Sequence, residues 1–158
     1  MKSAVFKPFI LALCTLAFLD LSCAKNMEKQ PQEEKSVRTF LENYFATWSA
    51  QDMKGYGECF DTKASIHMLD EQGNVYMQPH DEFLAGQAEA HRRSPVKMVE
   101  VPLTFQIEFS ADNRIVKATV SWKLTAGNKV TTGVDHYTLH RSEGGWKILD
   151  LTFYEDKK

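Results

Sequence analysis

The 158-residue sequence contains no glycine-rich phosphate loop, no CxxC pair, no HExxH and no GxSxG. Those gaps remove the sequence basis for nucleotide, zinc-hydrolase or serine-hydrolase chemistry. Positive charge is not in excess, since 19 Lys and Arg stand against 21 Asp and Glu. The electrostatic footprint of a nucleic-acid binder is therefore missing. Cysteine is scarce, with Cys14, Cys23 and Cys59 accounting for all three. A spanning helix needs about 20 apolar residues, and the run Phe9–Leu19 offers eleven. What is present is 43% apolar and 11% aromatic residues, enough for one folded domain with an unstructured end.

The N-terminus reads as an export signal: Lys2 and Lys7, then the apolar run, then Asp20. Leu19-Asp20-Leu21-Ser22-Cys23 resembles a bacterial lipobox, with Asp20 where that pattern has an aliphatic residue. Residues 1–23 are thus expected as a signal peptide with a lipobox-like end, in which Cys23 becomes the acylated first residue that anchors the chain to a membrane. The other reading is cleavage after Ala24, giving a secreted protein. The corresponding location is the bacterial cell envelope, facing the periplasm or the exterior. Residues 24–35 carry many charges, with Met27 as the one large apolar residue, and are expected as a disordered tether. With Cys14 in the signal and Cys23 lipidated or removed, Cys59 has no partner for an internal disulfide. Its place in an amphipathic stretch points to a small buried hydrophobe rather than a nucleophile.

Residues 36–156 form the expected domain. Val37, Phe40, Leu41, Tyr44, Phe45 and Trp48 recur at helical spacing, with Ser36 as the expected N-cap. Asp52 is suited to cap a short second helix over residues 55–60. A strand over 64–69, a turn, and a short extended piece at 75–78 precede a third helix over 80–93. That helix has Asp81 and Glu82 at its start and Arg92 and Arg93 at its end, as the helix dipole favours. The period then changes to two. Odd positions from Val99 to Phe109 are apolar, and Val116, Ala118, Val120, Trp122 and Leu124 alternate likewise. Two further strands, 129–140 and 146–154, complete an α+β domain in which three helices pack in the concave face of a strongly curved antiparallel sheet.

The stretch Asn43-Tyr44-Phe45-Ala46-Thr47-Trp48-Ser49-Ala50-Gln51-Asp52, followed by Gly55, Phe60 and Ala64, carries a likeness in the first half. Val134-Asp135-His136-Tyr137 and Gly145-Trp146-Lys147-Ile148 carry it in the second. Together they resemble the nuclear transport factor 2-like superfamily of ketosteroid isomerase, scytalone dehydratase and the SnoaL-like cyclases. The resemblance implies a cone-shaped pocket and places Tyr44 and Asp135 where ketosteroid isomerase has its oxyanion donors, a system that also serves as a standard example of a protonated carboxylic acid. The residue pattern agrees: Tyr44 lies on the buried stripe, and Asp135 is in step with Tyr137 and Leu139. Burial would raise the carboxyl's pKa and keep it neutral as a donor.

The family's proton-abstracting aspartate falls on Met68, whose thioether takes no proton. His67, Asp70 and His91 are the candidate replacements. Tyr44, Trp48, Met68, Asp135 and Tyr137 are the candidate ligand contacts. His136 and His140 have a helical metal spacing, but on a strand they stand about 13 Å apart. No metal or other cofactor is expected. The expected function is a lipid-anchored pocket protein that binds a small, largely apolar ligand. The alternative is an enolate-stabilising isomerase, dehydratase or cyclase with a relocated base. Apolar outward positions in the strands would permit a homodimer through the sheet.

Overall fold

The computed structural model describes residues 17–157, with side chains from Gln30 onward. The apolar run as far as Leu16 and the Cys23 side chain lie outside that description. The chain divides into two units, residues 1–36 and residues 37–158. In chain order the elements are α1 (Ala17–Ser49), α2 (Met53–Glu58), β1 (Phe60–Leu69), β2 (Val75–Gln78) and α3 (His80–Arg93). β3 (Met98–Phe109), β4 (Ile115–Ala126), β5 (Lys129–Ser142) and β6 (Gly145–Glu155) follow. Among the described residues no helix is long and apolar enough to cross a membrane.

Two features depart from expectation at the N-terminal side. Residues 24–35, expected without structure, are helical, and Ser36 lies inside α1 rather than capping it. Glu, Lys and Gln are strong helix formers, and the helix runs on through Pro31, which supplies no N–H to it. Once a packed stretch has nucleated a helix, extending it costs little even for residues that bury nothing. From Val37 onward the stripe behaves as the periodicity predicts: Val37, Leu41, Tyr44, Phe45 and Trp48 are all buried.

The junction that follows is closed by hydrogen bonds. Gln51 takes a left-handed φ of 63°, its N–H donates to the Trp48 carbonyl, and the Asp52 N–H donates to the Thr47 carbonyl, both at 2.9 Å. This pairing satisfies carbonyls that a helix end leaves open. Asp52 then starts α2, its carboxylate accepting from the Gly55 N–H at 2.9 Å. Asp52→Ala is expected to cost about 1 kcal/mol, which urea unfolding of the full chain would register.

All six strands form a single curved sheet in the order β2-β1-β6-β5-β4-β3, and the helices of the second unit pack against its inner face. The sheet is not wholly antiparallel: β1 pairs with β6 in parallel, with Ile66 opposite Leu151 and Met68 opposite Phe153. The other pairings are antiparallel. The inner face carries Ile66, Val116, Ala118, Val120, Tyr137, Leu139, Ile148 and Leu151, each buried.

β3 corrects the sequence reading in a way that matters for the site. The odd positions do not share one buried face. Phe105, Ile107 and Phe109 pack on the core, whereas Val101 and Leu103 are 38% and 52% exposed. The register shifts between Pro102 and Thr104, where Pro102 still pairs with Trp122 but Thr104 pairs with Ser121. One extra residue in a strand reverses which face every side chain takes. A proline, lacking an N–H for the ladder, is a residue around which such an irregularity forms. Upstream of the bulge, Glu100 shares a face with its pairing partner Leu124 and with Trp122, so a carboxyl expected in water points inward.

Candidate functional site

A cavity of about 230 Å³ opens where α1, α2 and α3 meet the inner face of β3–β6. Tyr44 and Trp48 reach it from α1, Tyr56 from α2 and Gln87 from α3. The sheet contributes Glu100, Trp122, Asp135 and Phe153, with Glu155 at the exposed end of β6. The Tyr44 ring packs on its neighbours, 4.7 Å from Tyr56 in the lining and 5.6 Å from Tyr137 behind it, centroid to centroid.

Asp135 is 5% exposed, and both its oxygens are engaged. Trp122 Nε1–H donates to Oδ1 at 2.6 Å and the Tyr137 hydroxyl donates to Oδ2 at 2.5 Å. Burial pushes the carboxyl up to about 7, against the pull of those two donors, which favour the charged form. The indole reaches Oδ1 because it lies over Gly133. A Cβ at that position would overlap the six-membered ring of Trp122 and the backbone carbonyl of Tyr154.

Tyr44 bonds to Tyr56 rather than to Asp135, the two hydroxyls standing 2.7 Å apart. Two O–H groups share that single bond, so whichever hydroxyl accepts keeps its own hydrogen. No acceptor for it is present among the described residues. Burial, with the neighbouring phenols and Asp135 adding to it, holds the Tyr44 hydroxyl neutral far above the ordinary tyrosine range.

Glu100 went unnoticed in the sequence because its strand's alternation put it outside. It is half-buried, and burial with the charge of Asp135 pushes its carboxyl up to about 8. Its backbone N–H and carbonyl are both engaged by the Ser49 hydroxyl, at 2.8 and 2.9 Å, which ties this part of β3 to α1. Tyr56 was missed too, since a six-residue helix has no periodicity to reveal its buried side. Pro102 was the available signal for Glu100; Tyr56 had none.

The candidate bases do not meet at this cavity. His67 lies on the other face of β1, its Nε2 3.3 Å from an Asp150 carboxyl oxygen. Asp70 sits in the β1–β2 turn, accepting from the Asn74 side chain, Tyr76 and the backbone N–H groups of Gln72 and Asn74. Those hydrogen bonds hold its carboxyl below the usual range. His91 is buried on α3 against Trp48, ring centroids 4.2 Å apart, and burial lowers its pKa. It stands behind the indole rather than lining the cavity. Met68 shares the side of β1 that buries Ile66 but does not line the cavity, and Tyr137 stands behind the lining, against Tyr44 and bonded to Asp135. His136 and His140 take separate partners, Thr119 at 3.0 Å and Asp61 at 2.8 Å. Among the described residues no cluster of three or more metal-ligating side chains forms. Cys59 is buried, its thiol pushed up to about 11 by that burial.

The arrangement is thus a small aromatic hollow with one spare hydroxyl donor, one carboxyl already hydrogen-bonded, and one carboxyl without a partner. Solved structures share this architecture. A protein of unknown function from Mycobacterium tuberculosis is 18% identical, with 84% of this chain and 76% of that one covered at a TM-score of 0.69. A putative scytalone dehydratase from Novosphingobium aromaticivorans is 10% identical over 83% and 89%, TM-score 0.67. ActVI-ORFA from Streptomyces coelicolor is 14% identical over 78% and 97%, TM-score 0.62. At such identities the likeness is one of fold, and a fold hosts many activities. No curated protein matches the chain. Residues 32–156 match the family described as NTF2-like protein (DUF6841), and with nearly the whole α+β unit inside that span, the chain belongs to this NTF2-like family.

Proposed function

We propose that the second unit is a binding module that takes up a small, largely apolar molecule bearing one acceptor group, and that acylated Cys23 holds it at the bacterial envelope. The observation that carries the binding reading is the Tyr44–Tyr56 pair, which keeps one hydroxyl hydrogen unspent beside an aromatic cavity. A buried donor without an acceptor is costly, and a bound carbonyl or hydroxyl oxygen removes that cost. The size suits a compact ligand: 230 Å³ equals about eight waters at ~30 Å³ each, below the usual range for drug-sized ligands. Catalysis has less support, because both oxygens of Asp135 are already taken by donors. Anchoring is supported by the sequence Leu21-Ser22-Cys23 after an apolar run.

Cyclohexanone and benzyl alcohol are suitable probes. Each is expected to raise the Tm of the full chain. Leu124→Trp, which fills the cavity from β4, should abolish the rise, and replacing both Tyr44 and Tyr56 by Phe, which removes both hydroxyls, should weaken binding about five- to tenfold. A Tm unmoved by either probe, or unaltered binding in Leu124→Trp, would contradict the binding reading. The intact mass of membrane-extracted protein tests the anchor separately: a chain starting at acylated Cys23 supports it, and one starting at Lys25 overturns it.

A further inference from the structure

The cavity's charge is one-sided. Glu100, Asp135 and Glu155 all line it, and among the described residues around it there is no Lys, Arg or His. Asp135 has its two donors, but the Glu100 carboxyl has neither a hydrogen bond nor an ion pair with any described residue. A half-buried acid beside a second carboxyl is disfavoured in its charged form, and a cation supplied to the cavity offsets that cost. The surrounding wall is rich in Tyr and Trp, whose ring faces attract cations, most strongly where water is excluded. A bare metal ion fits poorly, since the carboxyls do not converge into a ligating cluster.

We infer that the ligand is a small organic cation, a protonated amine or quaternary ammonium on a short apolar body, its charge held near Glu100 and Asp135 and its alkyl surface against the aromatic wall. The inference rests on the reading of this cavity as a binding site and adds the sign of the ligand's charge. It also resolves the paired demands of the site: the ligand's oxygen accepts from the spare tyrosine hydroxyl while its cationic end partners Glu100.

A pH signature follows. Tyr44, Tyr56 and Tyr137 stay neutral, held well above 10 chiefly by burial. The side chains that β4 and α3 present to the cavity, Trp122, Leu124, Gln87 and Ala90, do not titrate, and His91 sits behind Trp48. Glu155 is at the solvent-exposed rim. Glu100 and Asp135 are then the groups that change charge between neutral and mildly alkaline pH, so a cation should bind more tightly as pH rises from 6 to 9, with protons released on binding near neutrality.

The decisive pair of probes is choline and its uncharged carbon isostere 3,3-dimethylbutan-1-ol, compared by calorimetry on the full chain. Choline is expected to bind about tenfold or more tightly than the isostere at pH 9. Glu100→Gln should remove most of that preference while leaving isostere affinity within about twofold. Glu108→Gln, on the outer side of the same strand, should change neither. Equal binding of the two probes would overturn the cation inference and leave the binding reading standing. Binding of neither probe would also overturn it, and the cyclohexanone and benzyl alcohol experiment then decides the binding reading independently. A choline preference untouched by Glu100→Gln would overturn the assignment to this site.

Discussion

Gly133→Ala is expected to destabilise the second unit by about 2 to 4 kcal/mol, an unusually large effect for a single methyl group. The added carbon has nowhere to go: the Trp122 ring and the Tyr154 carbonyl, the latter part of the neighbouring strand's backbone, already occupy its place. Moving the indole would break its hydrogen bond to Asp135 and leave a buried carboxylate with one donor in place of two. Gly144, with nothing near its would-be Cβ, is the control, and Gly144→Ala should stay within about 0.5 kcal/mol. Urea midpoints compared at constant slope would register both. Similar midpoints for the two variants would mean that the indole does not lie over Gly133.

The second large effect is a fall in stability as pH rises. Asp135 goes from an ordinary value of 3.8 to about 7 on folding, mainly by burial. A raised folded pKa means that the native state holds the proton more firmly than the unfolded chain. The resulting stability is fully present below about pH 4 and is lost as pH climbs through about 7. Glu100, raised from 4.5 to about 8, acts in the same direction. At ~1.4 kcal/mol per unit, Asp135 alone should account for about 2 to 4 kcal/mol between pH 5 and 8.5. His91, lowered by burial, opposes this trend within the same window, so the informative quantity is the difference between the wild type and Asp135→Asn. The amide can accept from Trp122 and donate to the Tyr137 oxygen, preserving both contacts without a charge. Asp135→Asn is therefore expected to be more stable than the wild type at pH 8.5 and close to it at pH 5. Asp135→Leu should be destabilised at both, by about 2 to 4 kcal/mol, because it strands a buried indole N–H and a phenol. A wild type whose stability rises steadily from pH 5 to 8.5 relative to Asp135→Asn would contradict the assignment.

Much of this molecule was legible before its structure. The α3 bounds, the Asp52 cap and the buried stripe from Val37 to Trp48 follow from spacing and side-chain chemistry, because each is decided by neighbours within a turn or two. The inward face of β5 was equally plain, and with it Asp135. The parallel contact of β1 with β6 was not, since strand order depends on tertiary closure rather than on any local pattern. Nor was the helix over residues 24–35, where α1 continues through Pro31 with little to bury. The largest gap was Glu100. An unbroken alternation from Val99 to Phe109 hid the register shift at Pro102, and one misplaced residue turned a cavity carboxyl into an apparent surface one. Tyr44 was placed correctly on its buried face, but its partner is Tyr56 rather than Asp135, a pairing that depends on how α2 folds back against α1.

Asp135 and Glu100 both face the hollow between helices and sheet, and Asp135 is closed off there from open water. The most direct test of that enclosure is a pH titration of the Asp135 side-chain carboxyl carbon by ¹³C NMR in the full chain, with Asp135→Asn identifying the resonance. The expected midpoint for Asp135 is near 7. A midpoint near 4, the value of a solvated aspartate, would mean that water reaches the carboxyl freely and that the hollow described here does not enclose it.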